Sequence, residues 1–127
     1  MVSLVLLSHS MKLVEGIKDL ASEMAAGIPL YIAGGNSEGG LGSDYELIKK
    51  VLGQAQNPEG VIILYDIGSS AMMAETVLDE LDDDTRSLYK IIKAPLVEGA
   101  VVASVAIKTG SNFDDTLAEL KEIEIIK

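Results

Sequence analysis

Cysteine is absent from the chain. That excludes disulfides, zinc–thiolate sites and thiol catalysis, and it agrees with a cytoplasmic location. Tryptophan is absent too, and aromatic residues amount to 4%, so Val, Ile, Leu, Met and Ala must fill the interior. No apolar run reaches the roughly 20 residues of a membrane-spanning helix. The N-terminus has neither a basic n-region nor a small-residue cleavage site, so no signal peptide is expected. Arginine occurs once, at Arg86, in a chain of net charge −10. A nucleic-acid binder needs a basic face, and no segment supplies one. Neither nucleic acid nor membrane is therefore an expected partner. Histidine also occurs once, at His9, which rules out a paired-histidine metal site; no metal ligand set is expected.

What the chain has is core. Apolar residues make up 48% of its 127 positions, enough for one domain spanning 1–127. Residues 2–7 read as a buried parallel strand, being short, apolar and bounded by polar residues. Residues 11–26 follow at helical spacing, with Leu13, Ile17, Leu20 and Met24 on one face, Ser10 as N-cap and Gly27 as the stop. A second strand covers 28–33. A glycine-rich loop then leads to a helix over 43–55, capped by Ser43 or Asp44, with Tyr45, Ile48 and Leu52 inward. Residues 61–65 are apolar throughout and form a central strand. A helix over 71–81 ends at the acidic run Asp82-Asp83-Asp84. A fourth strand spans 88–93.

Pro95 takes the first position of a helix running to 107. That helix is apolar around nearly its whole circumference, so more than one side should be buried, by the sheet and by a second subunit. Asn112 caps a last helix over 113–120, and 123–126 forms an edge strand or a frayed end. Alternating strands and helices mean an α/β three-layer sandwich on a mainly parallel sheet. The common small-domain strand order is 2-1-3-4, with the topological switch point between strands 1 and 3.

That order gives His9 a neighbour. His9 ends strand 1 within Ser8-His9-Ser10, and Asp66 ends strand 3. Adjacent strand ends lie about 5 Å apart, within reach of an imidazole–carboxylate hydrogen bond. A carboxylate on one ring nitrogen fixes the tautomer and leaves the other lone pair free to attack. The same spacing also fits a histidine bonded to a backbone carbonyl, with Asp66 a turn residue or helix cap. Two helix N-termini point at the crevice, one after Ser10 and one near Ser69-Ser70, each with unpaired N–H groups and partial positive charge. Gly40, Gly42 and Gly68 let backbone amides approach a ligand closely. Such an anion site, without arginine or lysine, suits a phosphoryl group that is passed on rather than held. The acidic run from Asp79 to Asp84 lacks EF-hand spacing and reads as a solvated face. Met72 and Met73 either line the crevice or pack in the core.

Several segments resemble a known family. Ser8-His9-Ser10 with Glu15-Gly16 is similar to the S-H-S…E-G opening of mannose-type IIA domains of the phosphoenolpyruvate-dependent sugar phosphotransferase system. Asp66-Ile67-Gly68-Ser69-Ser70 is similar to D-[LM]-G-S-A, and Ala94-Pro95-Leu96-Val97-Glu98-Gly99-Ala100 to A-P-L-V-E-G-A. Both mark the branch that serves phosphoenolpyruvate-dependent dihydroxyacetone kinases. The D-x-x-G-G-S-P segment of the sugar-transporter branch is missing.

The resemblance implies a phosphotransferase in which His9 accepts a phosphoryl group from the phosphocarrier HPr as phosphohistidine. His9 then passes it to ADP held on the nucleotide-binding kinase subunit; the dihydroxyacetone-binding subunit is an indirect partner. No cofactor is bound tightly, since ADP and ATP stay on that partner. Asp66 orients His9, and Ser10, Gly40, Gly42, Ser43, Gly68 and Ser69 surround the phosphate. The family is a cytoplasmic homodimer.

Rival readings remain. One is a IIA component of a mannose-type sugar transporter. A receiver domain also ends strand 3 with aspartate, but it needs an acidic cluster where Ser8-His9-Ser10 stands. A histidine phosphatase needs arginines and a second histidine. A non-catalytic flavodoxin-like binding module expects His9→Ala to leave function intact.

Overall fold

The computed structural model describes residues 1–126. Its sheet has four parallel strands in the order β2-β1-β3-β4. The strands are β1 (Ser3–Ser8), β2 (Leu30–Gly34), β3 (Val61–Tyr65) and β4 (Tyr89–Ile91). The helices are α1 (Met11–Met24), α2 (Tyr45–Gln54), α3 (Gly68–Leu78), α4 (Asp83–Arg86), α5 (Leu96–Lys108) and α6 (Phe113–Lys121). The expected three-layer α/β sandwich and its strand order are both present.

Alternation along the central strands builds two cores. Val5, Leu7, Ile63 and Tyr65 face α2 and α3. Leu4, Leu6, Ile62 and Leu64 face α1, α5 and α6. Every residue of β1 and β3 is buried, as befits parallel strands covered on both sides.

Several boundaries differ from expectation. On α1 the buried stripe is Val14, Ile17 and Ala21, while Leu13, Leu20 and Met24 are exposed. The helix is wedged against both the sheet and α5. That packing takes Val14, Ile17 and Ala21 inward and leaves Leu13, Leu20 and Met24, which are unbranched at Cβ, toward solvent. The helix expected from 71 begins at Gly68, because the Ser70 N–H closes on the Ile67 carbonyl immediately after the strand. Pro95 lies one place outside α5, as its N-cap, and its carbonyl accepts the Gly99 N–H. The acidic run does end α3, but it also starts a new element. Asp82 accepts the Thr85 N–H and caps α4, whose Arg86 pairs with Glu75 at 2.7 Å.

No fifth strand forms among the described residues. The C-terminal segment makes one backbone bond to the fourth-strand exit, from Ile125 N–H to the Lys93 carbonyl at 2.8 Å. Helix α5 buries Ala100, Ala103 and Ile107 against the sheet but leaves Val97 and Val105 exposed. One of its apolar sides is thus uncovered within a single chain.

Candidate active site

β1 and β3 run in register up to the pair Leu7–Tyr65. One and two residues farther on, the strand ends bring Asp66, Ser8 and His9 together. The Asp66 carboxylate is the hub. Its Oδ2 accepts the Ser8 hydroxyl and the His9 backbone N–H, both at 2.9 Å. Its Oδ1 accepts the Ile67 N–H at 2.7 Å and the Ser70 hydroxyl at 3.2 Å, and lies 3.2 Å from His9 Nδ1. Partial burial pushes the carboxyl's pKa up. The hydrogen bonds from the His9 and Ile67 amides, the Ser8 hydroxyl and the His9 ring outweigh it and hold Asp66 below the ordinary carboxylate range.

An ionised carboxylate only accepts, so Nδ1 of His9 carries the ring proton and Nε2 presents the lone pair. Nε2 faces two hydroxyls, Ser69 at 2.6 Å and Ser43 at 3.2 Å. Local folding explains how Ser43 comes free for this role. Asp44, the next residue, takes the N-cap of α2 by accepting the Leu47 N–H. Ser69 stands in the first turn of α3, where helical amides have no intrahelical acceptor.

The other expected phosphate neighbours are placed differently. Ser10 caps α1 through its hydroxyl and gives its own N–H to Ser8 Oγ. The Gly40 N–H goes to Asn36 Oδ1 at 2.9 Å, and the Gly42 N–H goes to the His9 carbonyl at 2.9 Å. The Ser10 groups thus serve the start of α1, and the Gly40 and Gly42 amides hold the loop together. Gly35 and Gly42 adopt φ of +73° and +131°, which glycine reaches without strain. Gly68 opens α3 with its backbone beside Ser69.

Three residues were not assigned to the site from sequence: Ser8, Ser70 and Asn36. Asn36 organises the glycine loop, accepting the Glu38 and Gly40 amides and donating to the Leu41 carbonyl. Ser70 sits one helical turn after Asp66; that i, i+4 spacing was the available signal.

The segments that supply these groups also expose large apolar side chains: Leu41 beside Gly42 at 78%, Ile67 beside Asp66 at 55%, and Met72 of α3 at 71% exposure. Met72 therefore lies at the surface, while Met73 is half-buried against the α2–α3 core. A cavity of about 590 Å³ lies beside the loop, bounded by Asn36, Asp44 and Lys50, and His9 is not among its walls. Among the described residues, no cluster of three or more histidine and acidic side chains is placed to hold a metal ion.

Residues 3–117 match the family model EIIA-man, the fructose IIA component of the phosphotransferase system. The chain belongs to this family. Within EIIA-man, it is 36% identical to the phosphoryl donor subunit DhaM of PEP-dependent dihydroxyacetone kinase 2 from Listeria innocua, over 97% of this chain and 99% of the relative. The DhaM of Lactococcus lactis is 27% identical over 98% of this chain and 97% of its own length. The match to the Escherichia coli K12 DhaM, at 31% identity, spans 92% of this chain but only 26% of that longer protein. A crystallised protein of unknown function, EF1359, superposes with a TM-score of 0.85 at 31% identity, covering 95% of this chain and 93% of that one. The likeness first read from short motifs thus extends over nearly the whole chain, to EIIA-man members of the DhaM branch.

Proposed function

We propose that this EIIA-man domain is the DhaM-type phosphoryl donor subunit of a dihydroxyacetone kinase and works as a phosphohistidine carrier. His9 Nε2 attacks the phosphorus of phospho-HPr; the new P–N bond forms as the donor's bond breaks, and that electron pair returns to the donor. Asp66 stabilises the positive charge the ring then holds, and the Nδ1 proton stays in place. The Ser43 and Ser69 hydroxyls turn from Nε2 to the phosphoryl oxygens. A terminal oxygen of ADP on the nucleotide-binding subunit next attacks, and the electron pair of the breaking bond returns to Nε2.

The observation that carries this reading is the ring's polarity: Nδ1 on a carboxylate, Nε2 turned to two hydroxyls. A second feature supports protein partners. Small-molecule sites are concave and enclose most of their ligand, whereas the segments that supply Gly42, Asp66 and Ser69 also expose Leu41, Ile67 and Met72. A cytoplasmic setting, a homodimer joined through the uncovered side of α5, and the absence of a tightly held cofactor belong to the same proposal.

Phosphoenolpyruvate, Enzyme I and HPr should label the chain once, and His9→Ala should abolish the label. Stoichiometric labelling of His9→Ala overturns the proposal. The family model's description, a fructose IIA component, supports a sugar-transporter acceptor as the second reading. Adding the ADP-loaded kinase subunit decides between them: transfer to ATP supports the kinase, and label retained on His9 supports the transporter.

A further inference from the structure

The phosphoryl-carrier reading leaves Ser70 unassigned, although its surroundings are unusual. Its side chain is buried, at 1% exposure. Its hydroxyl donates to Asp66 Oδ1 at 3.2 Å, lies 3.2 Å from His9 Nδ1, and lies 3.3 Å from Ser43 Oγ. It therefore touches both the carboxylate side of the ring and the hydroxyl that flanks Nε2. Ile67 N–H already occupies Oδ1 at 2.7 Å. Ser70 adds a donor there, so it competes with the ring N–H for the same oxygen.

That competition weakens the hold of Asp66 on the ring. A phosphorylated imidazole with a proton on Nδ1 is cationic, and the charge it leans on is that of Asp66. Each donor on Oδ1 disperses some of that charge and weakens the ion pair, because hydrogen bonds to charged groups are the strong ones. We infer that Ser70 is a positioning residue that limits how strongly Asp66 stabilises phospho-His9, so that the phosphoryl group remains transferable. This rests on His9 being the carrier.

The inference is testable with the full chain and purified HPr. Labelled phospho-HPr is mixed with an equal amount of chain, and the partition of label at equilibrium is read. Ser70→Ala removes one buried atom, and Ser70→Cys keeps the shape with a weak donor. Both should shift the partition toward the phosphorylated chain by roughly three- to tenfold, the net value of one ordinary hydrogen bond, since Oδ1 keeps its other donors. Onward transfer to the ADP-loaded subunit should slow. In the unphosphorylated variants the His9 Nδ1–H proton resonance should move downfield, reporting a tighter bond to Asp66. A merely structural serine would lower thermal stability and move neither the partition nor the resonance.

A partition within twofold of wild type, or shifted toward phospho-HPr, overturns the role of Ser70. If the wild-type chain takes no label at all, the carrier reading itself fails, and the role of Ser70 with it.

Discussion

Asp66 organises the site more than its one contact with the ring suggests. Its two oxygens gather the ends of β1, β3 and the start of α3. Asp66→Asn keeps the shape but places a donor where only acceptors fit. It should leave the fold intact and slow labelling of His9 by about a hundredfold, measured in a phosphoryl-transfer time course; unchanged rates would remove Asp66 from the mechanism. Acid should also expose its role. The folded carboxyl sits below its ordinary value, so the stability it contributes is present above about pH 4 and is lost as pH falls through the folded value. Urea titrations should show wild type and Asp66→Asn converging at the acid end and separating above it. His9 and Asp66 were legible in sequence because each closes an apolar run at a strand end. Ser70 was not, because its i, i+4 spacing from Asp66 is shared by any hydroxyl that merely begins a helix after a strand-end carboxylate.

Helices and strands were legible where periodicity was strong and less so where packing decides. β3 matches its expected span residue for residue, since five apolar residues between turn signals leave little choice. The inward face of α1 was misread because leucines and methionine outrank alanine in hydrophobicity, yet Ala21 is what fits against sheet and α5. The turn before β3 packs closely on the start of α6, a contact the sequence could not show. Gly60 has φ of +113°, and a Cβ there would collide with the Phe113 ring. Gly60→Ala should therefore cost about 2–4 kcal/mol through backbone strain and overpacking, read from urea midpoints. A loss under about 0.5 kcal/mol, the range of ordinary surface substitutions, would show that α6 moves aside freely.

For the molecule as a whole, the uncovered side of α5 is the feature a monomer does not explain. Val97 and Val105 are exposed and Val101 is half-buried between them, at i, i+4 and i+8 of one helix. In the proposed homodimer that row lies at the subunit contact. Sedimentation at micromolar concentration should give twice the chain mass, and Val101→Glu with Val105→Glu should give a monomer that still takes label at His9. A wild-type monomer would separate the carrier from any dimer. Fold class and strand order were legible in the sequence because alternating strands and helices admit few arrangements. The proposed subunit surface was legible only as an apolar excess on one helix, without its direction.

The ties on the His9 backbone have a further consequence. Its N–H is held by Asp66 and its carbonyl by Gly42, and four side chains surround the ring. Little is left to freeze when a phosphoryl donor arrives. The entropy of aiming the nucleophile has been spent during folding, not during transfer, and the reaction begins near its attack geometry. The proposed carrier, which would react with two different proteins in turn, would thereby meet each with the same fixed imidazole, and the adjustment would fall to the partners.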